Sequence, residues 1–95
     1  MRLDKNTSSF IKTQLEVLES GSKIYLFGSR VDDNAKGGDI DILWLTHKKV
    51  PGNLIRKFRT KFYKQFGWRK IDIINFLYNE ESIFKEIALE KAVEL

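Results

Sequence analysis

The spacing of apolar positions along this chain switches repeatedly between helical and strand periods, and each switch marks an element. Ile11, Leu15 and Leu18, flanked by Phe10 and Val17, recur at helical spacing and predict a first helix over about Lys5–Ser20, with Gly21 as its C-cap. Lys23 to Phe27 is a short apolar run containing aromatics, predicted as a strand that Gly28 stops. A polar connection follows, in which Gly37-Gly38 supplies positive φ, and Asp39 to Leu45 returns to an apolar run as a second strand. Because the connection is short, the two strands are expected to be antiparallel neighbours.

Pro51 suits the first turn of a helix, where its missing N–H costs nothing. Leu54, Phe58, Phe62 and Phe66 then recur every fourth residue with Ile55 beside them, while Arg56, Lys57, Arg59, Lys61 and Lys64 fall mainly elsewhere, giving an amphipathic helix that ends at Gly67. The stretch from Trp68 to Leu77 contains KIDIINFL, a third strand in which Asp72 interrupts Ile and Phe. Asn79 is expected to cap a last helix, with Glu80 and Glu81 in its positive first turn and Ile83, Phe84, Ile87 and Ala88 as its apolar face. Together these elements predict one α+β (mixed α/β) domain over residues 1–95, a small mixed sheet of about three strands flanked by helices.

Composition narrows the function classes. The 42% hydrophobic content and twelve aromatics suffice for a compact core, whereas 32% charged residues argue against a membrane protein. No apolar run approaches the roughly 20 residues of a membrane span. The N-terminal MRLDKNTSSF lacks the apolar segment of a signal peptide, and with no cysteine there is no disulfide, thiolate site or cysteine nucleophile, so a cytoplasmic location is expected. Net charge is +4, but its distribution is uneven. Lys48 to Lys70 holds nine bases and no acid, leaving eight bases against thirteen acids elsewhere. Such a block is either the solvated face of a helix or a surface for phosphates or an acidic partner. The interleaved Phe62, Tyr63, Phe66 and Trp68 fit a buried helix face better than a base-stacking surface, so direct nucleic-acid binding is not expected.

Asp39 and Asp41 carry the chemistry. Strand period two puts both carboxylates on one face, with Ile40 and Ile42 on the other. Side by side they repel, so the fold gains nothing from them unless something cationic lies between, and oxygen-only ligands favour Mg²⁺ or Mn²⁺ over zinc. Ser29 lies at the turn after the first strand, where free backbone N–H groups and its hydroxyl would make a small anion site if a helical turn began there. Asp72 is costly among β-branched residues unless it is liganded, paired or at an edge, and Lys70 or Arg69 would serve as such a pair. His47 reads as a solvated loop residue, and Trp44 and Trp68 as core or rim aromatics.

FGSR, a short polar connection, GGDIDILWL and a later KIDII together resemble the minimal nucleotidyltransferase domain of the DNA polymerase β-like superfamily, over most of the chain. The resemblance implies that Asp39 and Asp41 hold two divalent metals with the triphosphate of a nucleotide, and that Asp72 holds the metal activating an acceptor hydroxyl. A metal pair suits the spread negative charge of a transferring phosphoryl group. Gly28 would permit close backbone approach, Ser29 would donate to a β- or γ-phosphate, Arg30 would clamp phosphate, and Lys36 is a weaker candidate for the same task. The chain departs from the family pattern in three places: nine residues separate Ser29 from Asp39, one fewer than expected; Gly38 stands where serine is common; and Asp32 and Asp33 replace basic or glycine residues.

Larger members of the superfamily carry a second domain that grips the acceptor, whereas this chain ends about twenty residues after its third strand. A partner is therefore expected, in a homo- or hetero-oligomer. Stand-alone domains of this type are encoded beside a small helical HEPN protein as toxin–antitoxin pairs, and several transfer AMP from ATP to the toxin. The resemblance thus implies a Mg²⁺- and ATP-dependent antitoxin that adenylylates a HEPN toxin. The alternative is a catalytically weak domain that neutralises its partner by binding alone.

Overall fold

The structure, a computed structural model, describes residues 3–28 and 39–95. Its elements run α1 (Lys5–Leu18), β1 (Lys23–Phe27), β2 (Ile40–Thr46), α2 (Gly52–Phe66), β3 (Ile71–Leu77), α3 (Ile83–Lys91) and β4 (Val93–Glu94). The four strands form one sheet in the order β3-β2-β1-β4. As expected, β1 and β2 are antiparallel; β3 runs parallel to β2 after the α2 crossover, and β4 is antiparallel to β1. The fourth strand was not predicted from the sequence. Two residues are too few for a period to show, and β4 is fixed by pairing Tyr25 with Glu94 and Leu26 with Val93. Among the described residues no helix is long and apolar enough to cross a membrane.

Side-chain alternation gives the sheet two unlike faces. Ile24, Leu26, Ile40, Ile42, Trp44 and Ile71 point to one face, where they pack with Ile11 and Leu15 of α1 and Phe58 and Phe62 of α2. Every one of these is buried, and the four-residue spacing of Phe58, Phe62 and Phe66 sets all three rings around Phe10 of α1, at centroid distances of 6.2, 6.2 and 5.2 Å. Asp4 caps α1 by accepting from the Thr7 N–H, and the helix closes at Glu19, two residues before Gly21 at φ 81°. The Glu19 carboxylate explains the early stop: it accepts from the N–H groups of His47 and Lys48, tying the end of α1 to the turn after β2. Asn75 secures the same turn from β3, accepting from the Val50 N–H and donating to Trp44 O and Thr46 Oγ1. Of the two tryptophans, Trp44 is core, whereas Trp68 is 81% exposed and rests on Tyr63 at the rim.

The second face is covered more thinly, and here the sequence-based expectation for the last helix fails. Its N-cap is Ser82, whose hydroxyl accepts from the Lys85 N–H, rather than Asn79. Glu80 precedes the helix and accepts instead from the Leu77 N–H, with Lys49 3.3 Å away. The apolar face is also rotated outward: Phe84 packs edge-on against Phe27 and tilted against Phe76, but Ile83 and Ile87 are 77% and 62% exposed. The cause is Lys85. Its Nζ turns inward and donates to Leu77 O, Tyr78 O and Glu80 O at 3.0, 2.8 and 2.9 Å, satisfying three carbonyls of the turn between β3 and α3. A buried ammonium with three acceptors offsets the burial forgone at Ile83 and Ile87, because each unpaired carbonyl would cost about 1–3 kcal/mol.

Replacing Lys85 by Met keeps most of the stem but removes the donor. The expected loss is about 2 kcal/mol, or roughly 10 °C in melting temperature for a domain of this size, measured by thermal circular dichroism. A melting temperature within about 2 °C of the unmodified chain would show that solvent serves those carbonyls equally well.

Candidate active site

The carboxylates meet because of strand register. Parallel pairing places Asp41 directly beside Asp72, Ile40 beside Ile71 and Ile42 beside Ile73. With the isoleucines of β2 committed to the helix-covered face, Asp41 must emerge on the other, and zero offset puts Asp72 on that side too. The antiparallel β1 ends at the same edge of the sheet, with Phe27 opposite Asp41. Asp39 lies just before β2, where the Ile40 N–H donates to Lys70 O at 2.9 Å and continues the ladder one step beyond β3. Gly28, Asp39, Asp41 and Asp72 therefore share one end of the sheet. Ser29, Arg30 and Lys36, the other expected phosphate contacts, lie outside the described residues.

Gly28 is required twice over at its position. Its φ of 75° suits glycine, and a Cβ there would lie 2.5 Å from Asp41 Oδ2. The Gly28 backbone and the Asp41 carboxylate thus lie so close that any larger residue would have to displace the carboxylate. Asp72 is half-buried rather than enclosed, and the expected strand edge applies to it, since β3 is the outer strand.

Among the described residues, one cation stands beside these acids. Lys70 Nζ is 4.0 Å from Asp39 Oδ2 and 4.0 Å from Asp72 Oδ2, bridging the two carboxylates that flank Asp41. All three side chains are about half exposed or more, so these pairs contribute little to stability. Their importance is local charge balance. Asp41 is held above its ordinary carboxylate pKa of 3.8, first by burial, then by the charges of Asp72 and Asp39, with Lys70 opposing the rise. Sequence reasoning weighed Lys70 only as a mate for Asp72; the i, i+2 spacing of Lys70 and Asp72 carried the further signal that both share a strand face.

In kind, these donors fit a hard divalent cation. They are all oxygens, they share one sheet end, and burial together with the charges of Asp72 and Asp39 already raises the Asp41 pKa. In spacing they are held apart: among the described residues no three His, Cys, Asp or Glu side chains stand close enough together to hold a metal ion as they are. The observed arrangement is that of an acidic site balanced by lysine.

Asp41 also predicts a pH dependence. A carboxyl whose pKa is raised on folding costs no stability below its ordinary value of 3.8. The cost sets in as pH rises through that value and is complete above the folded one. Asp41→Asn should therefore raise the melting temperature near neutral pH, and the gain should shrink toward zero at about pH 3. A lower melting temperature for the variant at neutral pH would mean that Asp41 is a structural partner rather than a strained acid.

A search of curated proteins returned no match. The family described as Polymerase beta, Nucleotidyltransferase matches residues 8–94, from within α1 to the end of β4, and so takes in the whole sheet together with Gly28 and all three aspartates. The resemblance carried by FGSR, GGDIDILWL and KIDII thus extends over nearly the full length of the chain, and the chain belongs to the polymerase β-type nucleotidyltransferase family.

Proposed function

We propose that this protein transfers a nucleoside monophosphate, AMP from ATP, to an acceptor hydroxyl, and that it does so as the antitoxin acting on a small helical partner of the HEPN type. The supporting observation is the zero-offset pairing of Asp41 with Asp72 beside the Gly28 approach, within a chain of the nucleotidyltransferase family. Asp39 and Asp41 would bind the metal that carries the triphosphate, and Asp72, with Asp41, the metal beside the acceptor. Bound Mg²⁺ or Mn²⁺ would neutralise charge on the entering and leaving oxygens of the phosphoryl group. The acceptor oxygen forms a bond to the α-phosphorus as the bond to pyrophosphate breaks, and the acceptor's proton passes to a neighbouring carboxylate or to solvent. Lys70 must release Asp39 and Asp72 for these roles.

The spacing of the acids favours a second reading. Carboxylates that share a lysine and are not drawn onto a common point suit a domain that has kept the family fold and neutralises its partner by binding alone.

Incubation of the purified helical partner with this chain, MgCl₂ and labelled ATP separates the two readings. The transferase reading expects a stable adduct, reduced by orders of magnitude in the Asp39→Asn, Asp41→Asn double variant, whose melting temperature holds or rises. It further expects Mn²⁺ at millimolar concentration to raise the melting temperature of the unmodified chain but not of the variant. Absence of adduct, together with full neutralisation of the partner by the double variant, would establish binding alone.

A further inference from the structure

Away from the carboxylates, two surfaces on opposite faces of the sheet have complementary chemistry. The first is a groove between α1 and α2 with a cavity of about 240 Å³, lined by Gln14, Val17, Leu18, Leu54 and Phe58 and by the basic Lys57 and Lys61. Val17 is 76% exposed, an unusual position for a β-branched residue on a helix that otherwise buries its apolar side. Beyond the rim a second depression continues along α2 past Arg56 and Lys64, so the groove opens onto the most basic face of the chain.

The second surface is the outer side of α3. Ile83 and Ile87 lie one turn apart and exposed, because Lys85 holds the opposite side of the helix inward. Glu86 and Glu90 lie one turn apart as well and border the isoleucines at i+3 spacing, both exposed. α3 thus presents to solvent an apolar pair lined on one side by two acids. With 9 residues, α3 is a rod of about 13 Å.

We propose that the α1–α2 groove receives α3 of a second copy of this chain, with Ile83 and Ile87 over Val17 and Leu54 and with Glu86 and Glu90 facing Lys57 and Lys61. The apolar floor decides against nucleic acid, which would leave Val17 and Leu54 uncovered, while the basic rim selects an acidic helix over an apolar one. α1 and α2 cover one face of the sheet and α3 the other, so the contact is head-to-tail and builds chains or rings rather than a two-fold dimer. A single short helix buries less than the ~800 Å² per partner of a stable complex, which makes the association weak and concentration-dependent. The proposal goes beyond the transferase reading.

Sedimentation velocity on the full chain, from about 10 µM to about 1 mM, tests the proposal. The weight-average sedimentation coefficient should climb with concentration beyond the value for a dimer, and the apparent dissociation constant should weaken at least tenfold between about 50 mM and 500 mM NaCl. Lys57→Glu with Lys61→Glu, or Glu86→Lys with Glu90→Lys, should each leave the chain monomeric. An equimolar mixture of the two variants should associate again, because α3 of the first fits the groove of the second and the reversed charges on α3 of the second match the reversed rim of the first. That result also shows both variants to be folded. A monomer throughout the range, unaltered association of either variant, or a mixture that stays monomeric would overturn the proposal. So would an oligonucleotide, dT20, that binds the monomeric chain and loses its binding in the Lys57→Glu, Lys61→Glu variant.

Discussion

Asp41 and Asp72 repel each other across neighbouring strands, and they are held there by the zero-offset parallel pairing of β2 with β3. That pairing is fixed by what lies between the acids. Ile40, Ile42, Ile71 and Ile73 must face α1 and α2 to complete the core, and once they do, the carboxylates have no alternative to the opposite face. Core packing therefore supplies the free energy that keeps two like charges adjacent, and Lys70 reduces how much of it is needed. Stability and chemistry use alternate residues of the same strand.

The two faces of the sheet solve burial differently. One is closed mainly by four phenylalanines packed on one another. The other is closed by a short helix whose attachment is polar: Lys85 on three carbonyls and Ser82 at the cap, with only Phe84 reaching the sheet aromatics. Directional bonds fix the rotation of α3 more tightly than packing would, and they fix it with Ile83 and Ile87 outward.

Most of this was legible in the sequence, and the exceptions have physical causes. The Phe58–Phe62–Phe66 stripe and the Asp39–Asp41 alternation are strong periodic signals that are read without tertiary context, the short connection gave the β1–β2 pairing, and FGSR, GGDIDILWL and KIDII carried the family resemblance. The rotation of α3 was not legible. Ile83, Phe84, Ile87 and Ala88 form a perfectly good apolar stripe, but a lysine that turns inward is decided by three carbonyls in a turn whose geometry no pattern reveals. β4 was missed because a two-residue strand exists only through its partner. At the site, the sequence identified the acids, whereas Lys70 as their shared counter-charge depended on the strand register that sets Asp39 beside the end of β3.

The same register divides the chain by its tolerance of length change. Extra residues in the turn before α2 or between α2 and β3 only lengthen a crossover, and leave the strands free to pair as before. Loss of one residue between Lys70 and Asp72 has no such escape, since it carries the acid to the side where the phenylalanines lie, or else drags Ile73 and its neighbours out of the core. In a lineage of such chains, insertions and deletions should accumulate around the helices and be purged from the strands, so that the ancestry of the site is written in conserved spacing as much as in conserved residues.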